Sequence, residues 1–275
     1  MNIDSHQHFW IFNPVRDAWI TEQMDVIRTD CMPEDLFREL LDNGMDGSVA
    51  VQADQSEEET SFLLDIAEKY DFVKGVVGWV DLRSRSLDNR LAFYHTNPWL
   101  KGFRHIVQGE PDDLFLLGDD FCRGISLLKD YSYTYDILVY PKQLPAVMRF
   151  VERFPEQKFV IDHLAKPAIK NHLLEPWASQ MREIARHPNV YCKVSGMVTE
   201  ADWEYWKPED MQPYLDVVFG AFGPARLMFG SDWPVCLVAG GYVRVKHVVT
   251  DYLQQFSKAE SRAVMGENAV SFYNL

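Results

Sequence analysis

One repeated pattern constrains the fold of this chain more than any other feature. Eight short runs of apolar and β-branched residues occur along its 275 residues, and segments of helical periodicity separate most of them. The runs lie at 3–6, 48–52, 73–80, 100–108, 135–140, 158–163, 190–195 and 227–232. Eight strand–helix units of about 30 residues, without a linker or low-complexity segment, are typical of a closed parallel barrel. We therefore predict an α/β fold, a single (β/α)₈ TIM barrel domain over residues 1–275.

Local signals between the runs agree with this fold. Ser56 and Glu59 have the spacing of a capping box, and Pro33 suits the first turn of a helix over 34–42. An open doubly wound sheet would have a glycine-rich phosphate loop after its first strand, whereas this strand runs into Ser5-His6-Gln7-His8. Two helical segments, 243–256 and 258–273, follow the eighth run, and we expect them to close the base of the barrel.

Charge and cysteine content exclude several classes of function. The net charge of -14 would repel phosphate backbones and anionic membranes, and no basic patch offsets it, so we expect no nucleic-acid or membrane partner. The N-terminus has no signal-peptide pattern and no run of 18 apolar residues occurs, which favours a cytoplasmic location. The cysteines form no CxxC pair, which predicts reduced, buried thiols at positions 31, 122, 192 and 236.

Candidate catalytic residues lie at the ends of three predicted strands. His6 and His8 are two residues apart and so point the same way, while His163 ends the sixth run and Asp232 ends the eighth. Each has a structural alternative: a surface histidine pair, a core histidine bonded to a carbonyl, or a helix cap. Because the C-terminal ends of barrel strands meet at one mouth, the set of four predicts an active site there.

Five segments carry a resemblance to a known family. They are IDSHQHFW at 3–10, GFRH at 102–105, IDHLAKP at 161–167, CKVSG at 192–196 and FGSDWP at 229–234, and the ending GENAVSFY at 266–273 adds to them. Together they span the chain. The sequence resembles the amidohydrolase superfamily and, within it, the branch of sugar-lactone hydrolases.

The resemblance implies a water activated by Asp232, with His6, His8 and His163 around the substrate carbonyl. These four residues could also hold one divalent metal, zinc before others, with an open position for water. The predicted fifth strand offers neither the histidine nor the lysine of a two-metal site, so we expect at most one ion. A metal-free site, in which the histidines bond the carbonyl directly, stays open, and a metal could therefore be dispensable.

The resemblance also implies the substrate class, a small sugar lactone such as L-fuconolactone or L-rhamnonolactone that is opened to the free aldonic acid. Six residues near predicted strand ends are candidate substrate contacts: Trp79, Arg104, His105, Tyr135, Lys193 and Trp233. The tryptophans could instead serve packing, and Lys193 could pair with an acid. The long segment 197–210 predicts a lid, a cover for the rim or a subunit interface.

Two rival functions use the same residues. A zinc-dependent decarboxylase of the superfamily would need the same histidines and aspartate, and metal dependence would separate it from a lactonase. A non-catalytic sugar-binding barrel would have no need for the full set. The sequence predicts no oligomeric state.

Overall fold

The computed structural model describes all 275 residues and confirms the predicted barrel. Eight parallel strands form one sheet in which each strand pairs with the next along the chain. Residues just beyond β8 close the sheet onto β1: the Asp232 amide donates to the His6 carbonyl at 2.9 Å, and the His8 amide donates to the Trp233 carbonyl at 2.8 Å. The strands are β1 (Ile3–Gln7), β2 (Gly47–Val51), β3 (Val73–Gly78), β4 (Leu100–His105), β5 (Thr134–Ile137), β6 (Phe159–Ile161), β7 (Val190–Val194) and β8 (Leu227–Phe229).

A helix follows each strand, and two more end the chain. They are α1 (Pro33–Asp42), α2 (Glu57–Lys69), α3 (Leu87–Tyr94), α4 (Asp119–Leu128), α5 (Leu144–Arg153), α6 (Trp177–Ile184), α7 (Pro208–Phe222), α8 (Tyr242–Tyr252), α9 (Lys258–Arg262) and α10 (Asn268–Tyr273). The predicted capping box is half formed. The Ser56 hydroxyl accepts from the Glu59 amide, but the Glu59 carboxylate accepts from the Ala53 amide at 2.8 Å and so ties α2 to the end of β2.

The interior of the barrel has an apolar lower layer. Side chains from five strands meet three residues of α10 there: Ile3, Val49, Val51, Val77, Val160, Met228, Ala269, Phe272 and Tyr273. The segment before α10 packs tightly on the N-terminus, since a Cβ on Gly266 would lie 2.1 Å from the Met1 carbonyl oxygen. Of the two segments expected to close the base, 258–273 does so through α10, whereas 243–256 contributes no residue to this layer and forms α8, the helix that follows β8. The opposite mouth is left for the site.

The predicted state of the cysteines agrees with the structure. All four are buried, and none forms a disulfide. Burial raises the pKa of the Cys31 thiol to about 12, with nearby Asp35 adding to the effect. None of the helices combines the length and the apolar character needed to cross a bilayer.

Candidate active site

The structure brings the four candidate catalytic residues together at the upper mouth. Oδ1 of Asp232 lies 3.4 Å from Nε2 of His8, 3.8 Å from Nε2 of His163 and 3.9 Å from Nε2 of His6. The Nε2 atoms of His6 and His8 are 3.2 Å apart. None of the four residues is more than 5% exposed, so their mutual interactions are little screened by solvent.

His163 and Asp232 lie just past the ends of their strands, in unusual backbone conformations. Both have left-handed backbone, with φ of 52° and 58°, which costs about 1–3 kcal/mol for a residue other than glycine. The carboxylate of Asp4 stabilises the second of these turns, because it accepts from the Ser231 amide at 2.8 Å and from the Ser231 hydroxyl at 2.5 Å. Sequence reasoning missed this role of Asp4, although Asp4 lies in the same motif as His6.

The imidazoles have outer partners that fix their orientation. Nδ1 of His8 lies 2.7 Å from the Val51 carbonyl oxygen, and Nδ1 of His163 lies 2.9 Å from the Ser195 hydroxyl. A carbonyl oxygen only accepts, so neutral His8 carries its proton on Nδ1 and has a bare Nε2. Such outer partners are the usual way in which proteins orient histidines that bind metals.

The donor set fits one divalent metal. Ligand atoms of His6, His8 and Asp232 all lie within 4.8 Å of one another, with separations of 3.2–3.9 Å, and Nε2 of His163 lies 3.8 Å from Oδ1 of Asp232. Tetrahedral ligands at about 2.1 Å from zinc lie about 3.4 Å from one another. The bare Nε2 of His8 also faces the Asp232 carboxylate, an arrangement of two acceptors that a cation between them would satisfy. His6, His8 and Asp232 would hold such an ion, and His163 as a fourth ligand stays a prediction.

The electrostatics keep Asp232 and His163 unprotonated at neutral pH. Burial alone would raise the pKa of Asp232, but the neighbouring imidazoles, that of His163 above all, hold it below its ordinary value. Asp232 is therefore a carboxylate at neutral pH. Burial lowers the pKa of His163 to about 4, against the opposing effect of Asp232, so its imidazole is neutral under the same conditions.

A fully buried ion network lies directly beneath the histidines. Lys193 of β7 donates to Oδ2 of Asp136 on β5 at 2.6 Å, and its Nζ lies 3.1 Å from Oδ1 of Asp162. Arg104 donates to Oδ2 of Asp162 at 3.0 Å, and the Tyr273 hydroxyl donates to Asp136 at 2.8 Å. The sequence signal for this network is a charged residue within or directly after an otherwise apolar strand, as at Asp136 and Asp162, and neither residue was among the predicted site residues.

Two of the expected substrate contacts, Arg104 and Lys193, differ in whether they line the cavity. Arg104 lines the mouth cavity, as predicted. Lys193 does not, because its side chain is completely buried in the ion network and has no access to the cavity. The alternative given for Lys193, an ion pair with an acid, is what the structure contains.

The other four expected contacts do not line the cavity: Tyr135 and Trp233 pack in the core, and His105 and Trp79 lie among the loops outside β3 and β4. Tyr135 packs against Phe121 and Phe150 of the outer helices, with ring centroids 5.9 and 6.2 Å away. Alternate side chains of a strand face opposite ways, and Tyr135 takes the outward side while its neighbour Asp136 faces inward. Trp233 is 3% exposed and packs on Phe9, so it too serves the core.

His105 and Trp79 also lie away from the cavity. Nε2 of His105 pairs with Glu110 at 2.7 Å, and its ring stacks on Phe115. The Trp79 indole donates to Nδ1 of His105 at 3.3 Å. Both side chains therefore brace the loops outside β3 and β4.

The mouth leads into a cavity of about 510 Å³. Its floor includes His8, His163 and Asp232, and its walls combine aromatic with polar groups. The wall residues that sequence reasoning missed lie on loops, where periodicity gives no signal: Trp19, Gln108, Tyr140, Lys166, Thr199 and Glu200. Lys166 and Glu200 form an ion pair at 3.4 Å across one side of the opening.

The segment 197–210 forms part of this rim. Trp203 lines the cavity, while Trp206 is buried, donates from its indole to the Ala239 carbonyl at 2.7 Å and stacks under Arg244. Tyr205 is 76% exposed. The segment thus supplies both a cavity wall and a cover for the rim.

A parallel (β/α)₈ barrel with a cluster of histidines and an aspartate at the C-terminal ends of its strands defines a class of enzymes whose active site lies at that mouth. The chain belongs to the Amidohydrolase family, whose model matches residues 3–275. This confirms the resemblance inferred from the motifs.

Proteins of known activity and known structure are similar to this chain over its whole length. The chain is 40% identical to an L-fucono-1,5-lactonase of Burkholderia multivorans, over 100% of this chain and 96% of that protein. It is 37% identical to an L-fucono-1,5-lactonase of Burkholderia ambifaria, over 99% and 95% respectively. A crystal structure of a Burkholderia multivorans amidohydrolase with bound zinc has a TM-score of 0.97 at 40% identity, and covers 100% of this chain and 99% of that one.

Proposed function

We propose that this enzyme hydrolyses the ester bond of a sugar lactone, with L-fucono-1,5-lactone or a close stereoisomer as substrate. The observation that carries the proposal is the cluster of Asp232, His8 and His163 on the floor of an open cavity, with His6 buried beside them, in a chain 40% identical over its whole length to an L-fucono-1,5-lactonase. L-rhamnonolactone is the second substrate to test. The product would be the free aldonic acid.

The site supplies the groups that ester hydrolysis requires. Asp232, ionised at neutral pH, takes a proton from the attacking water and can return it to the departing ring oxygen. The carbonyl oxygen becomes an oxyanion beside the imidazoles of His6, His8 and His163, and a bound zinc would supply Lewis-acid stabilisation of that charge. The buried position of all four groups strengthens these interactions.

The cavity suits a neutral, hydroxylated ring. Its two cations are already paired, Arg104 with Asp162 and Lys166 with Glu200, so a dicarboxylate would find no free positive charge in them. Trp19, Trp203 and Tyr140 offer flat apolar faces for the C–H groups of a sugar. We propose Arg104, Lys166 and Glu200 as the residues that bind ring hydroxyls and the carbonyl.

Acid release from a panel of lactones tests this function. A pH indicator would follow L-fuconolactone, L-rhamnonolactone and their stereoisomers, with the enzyme-free rate subtracted. We expect saturable acid release from at least one 6-deoxy-L-sugar lactone. Turnover of no sugar lactone, together with CO₂ release from an aromatic acid, would replace the proposal with the rival decarboxylase.

A further inference from the structure

Gln108, in the wall of the mouth cavity, has a side-chain amide that the protein itself does not use. Its Oε1 is buried and has no hydrogen-bond partner. The amide nitrogens of two other glutamines do bond, that of Gln143 to the Val107 carbonyl oxygen at 2.8 Å and that of Gln52 to the Arg104 carbonyl oxygen at 3.0 Å. A buried acceptor without a partner destabilises the free protein. Because Gln108 lines the cavity, a ligand bound there can supply the missing partner.

The backbone that carries this side chain is fixed by neighbouring loops. The Gln108 amide donates to the Leu138 carbonyl oxygen at 3.1 Å, and the Ile106 amide donates to Oε1 of Gln55 at 2.7 Å. Gln143 adds the bond described above. These partners come from the loops after β2 and β5, so the short turn around Gln108 is held in place before any ligand binds. Such preorganisation lowers the entropic cost of binding.

Two other neutral polar side chains of the cavity have already used their donors. The Thr199 hydroxyl donates to the Gly196 carbonyl oxygen at 2.8 Å, and the Trp203 indole donates to the Thr199 carbonyl oxygen at 2.9 Å. Gln108 therefore offers the cavity an uncommitted donor and an uncommitted acceptor on one group.

The chemistry of a carboxamide indicates what it would bind. Its oxygen only accepts and its nitrogen only donates, and the torsion that orients them is broad, so either atom can turn toward the cavity. A hydroxyl group donates one hydrogen bond and also accepts. Two hydroxyls on adjacent carbons of a sugar ring thus match the two ends of a carboxamide, one as donor and the other as acceptor.

We propose that Gln108 determines specificity by recognising two adjacent hydroxyl groups of the lactone. Its Oε1 accepts from one hydroxyl and its Nε2 donates to the other. The residue takes no part in the ester chemistry. This inference rests on the proposed function, the hydrolysis of a sugar lactone, and adds to it the feature of the ring that the enzyme reads.

Gln108→Met tests this role, because it keeps the length of the side chain and removes both hydrogen-bonding groups. We expect kcat/KM for the best sugar lactone to fall about 10–100-fold, the effect of losing two hydrogen bonds. Hydrolysis of δ-valerolactone, which has the ring ester without hydroxyls, should keep the kcat/KM of the wild type. The thermal midpoint should not fall, because the variant no longer buries an acceptor without a partner.

Lactones that each lack one hydroxyl locate the contact. The loss caused by Gln108→Met should be smaller for the two lactones deoxygenated at the recognised, adjacent positions and undiminished for the others, because only those two remove the same interaction as the substitution. An equal loss for every deoxy lactone would overturn the proposal.

Gln180→Met is the matched control. Gln180 lies in α6 on the outside of the barrel, and its Oε1 likewise has no partner, so its substitution should leave kcat/KM unchanged for both substrates. If the wild type hydrolyses sugar lactones and Gln108→Met does so equally well, this inference alone is wrong. Equal losses on a sugar lactone and δ-valerolactone, or a lower thermal midpoint, would assign Gln108 a structural role instead. A wild type inactive on every sugar lactone would remove the proposed function and this inference with it.

Discussion

At the scale of single residues, three of the four candidate catalytic side chains, those of His8, His163 and Asp232, lie just beyond the ends of strands. His163 and Asp232 follow the last residues of β6 and β8 and adopt left-handed backbone there. Both side chains reach the cluster, where Nε2 of His163 lies 3.8 Å from Oδ1 of Asp232. Asp4 and Ser231 offset the strain at Asp232 through hydrogen bonds that lie outside the reacting cluster.

Asp232→Asn tests the general base. The amide keeps the size of the side chain but accepts a proton far less readily, so we expect kcat to fall by about 10²–10⁴-fold with a much smaller change in KM. Steady-state kinetics and the thermal midpoint should be measured on the same preparation. A near-normal rate would remove Asp232 from the mechanism, and a collapsed midpoint would mean that its role is structural.

Glu200→Gln tests the proposed binding of hydroxyls at the rim. Glu200 lines the cavity and pairs with Lys166 at 3.4 Å, and the amide loses the charge while keeping the shape. Hydrogen bonds to charged groups contribute about 1.5–3 kcal/mol, so kcat/KM for a sugar lactone should fall about 10-fold or more.

The matched substrate for this variant is δ-valerolactone, which has the ring ester without hydroxyls. We expect the wild type and Glu200→Gln to hydrolyse it at equal kcat/KM. An equal loss on both substrates would show that Glu200 acts on the ester chemistry or the fold, and not on recognition.

At the scale of elements, close strand contacts set the barrel geometry. A Cβ on Gly102 of β4 would lie 2.1 Å from Oγ1 and 2.7 Å from the carbonyl oxygen of Thr134 on β5. These contacts leave no space for a side chain at the pairing of the two strands. By contrast, Gly220 in α7 is exposed and has nothing within 4 Å of its Cβ position.

Gly102→Ala and Gly220→Ala should therefore shift stability in opposite directions. The first forces β4 and β5 apart and should cost about 1–3 kcal/mol, as overpacking does. The second replaces a flexible residue inside a helix and should stabilise by about 0.5–1 kcal/mol. Thermal or urea unfolding of both variants checks this, and a neutral Gly102→Ala would mean that the strands can separate at little cost.

At the scale of the whole molecule, the barrel has one donor cluster with access to the mouth. The inward-facing residue of β5 at this level is Asp136, which is committed to Lys193 and Tyr273. The second group that could offer metal ligands, His6, Asp162 and His163, already has the ammonium of Lys193 within 3.1 Å of Nδ1 of His6 and of Oδ1 of Asp162.

We accordingly expect at most one divalent metal per chain. Elemental analysis of protein purified without chelator, combined with zinc titration of the metal-free form, gives the number directly. A chelator should also reduce lactone hydrolysis if zinc stabilises the oxyanion. Two tightly held ions per chain, both needed for activity, would show that the assignment of ligands is wrong.

The sequence by itself determined the barrel and the grouping of four residues at its mouth. Hydrophobic periodicity depends only on local order along the chain, and the C-terminal ends of parallel strands must share one mouth, so His6, His8, His163 and Asp232 could be placed together without coordinates. Tyr135 and Lys193 could not be placed, because a strand end predicts proximity to the mouth but not the face or the depth of a side chain.

Only the tertiary structure decided the partners in the buried ion network and the walls of the cavity, because both depend on contacts between residues far apart in the chain. The partners of Lys193 come from β5 and from the residue after β6, and Tyr273 reaches Asp136 across 137 positions. The ion pair of Lys166 and Glu200 likewise joins two loops that share no periodic signal. Charge balance in a buried network and the walls of a cavity are properties of the closed barrel, and no single strand or loop carries them.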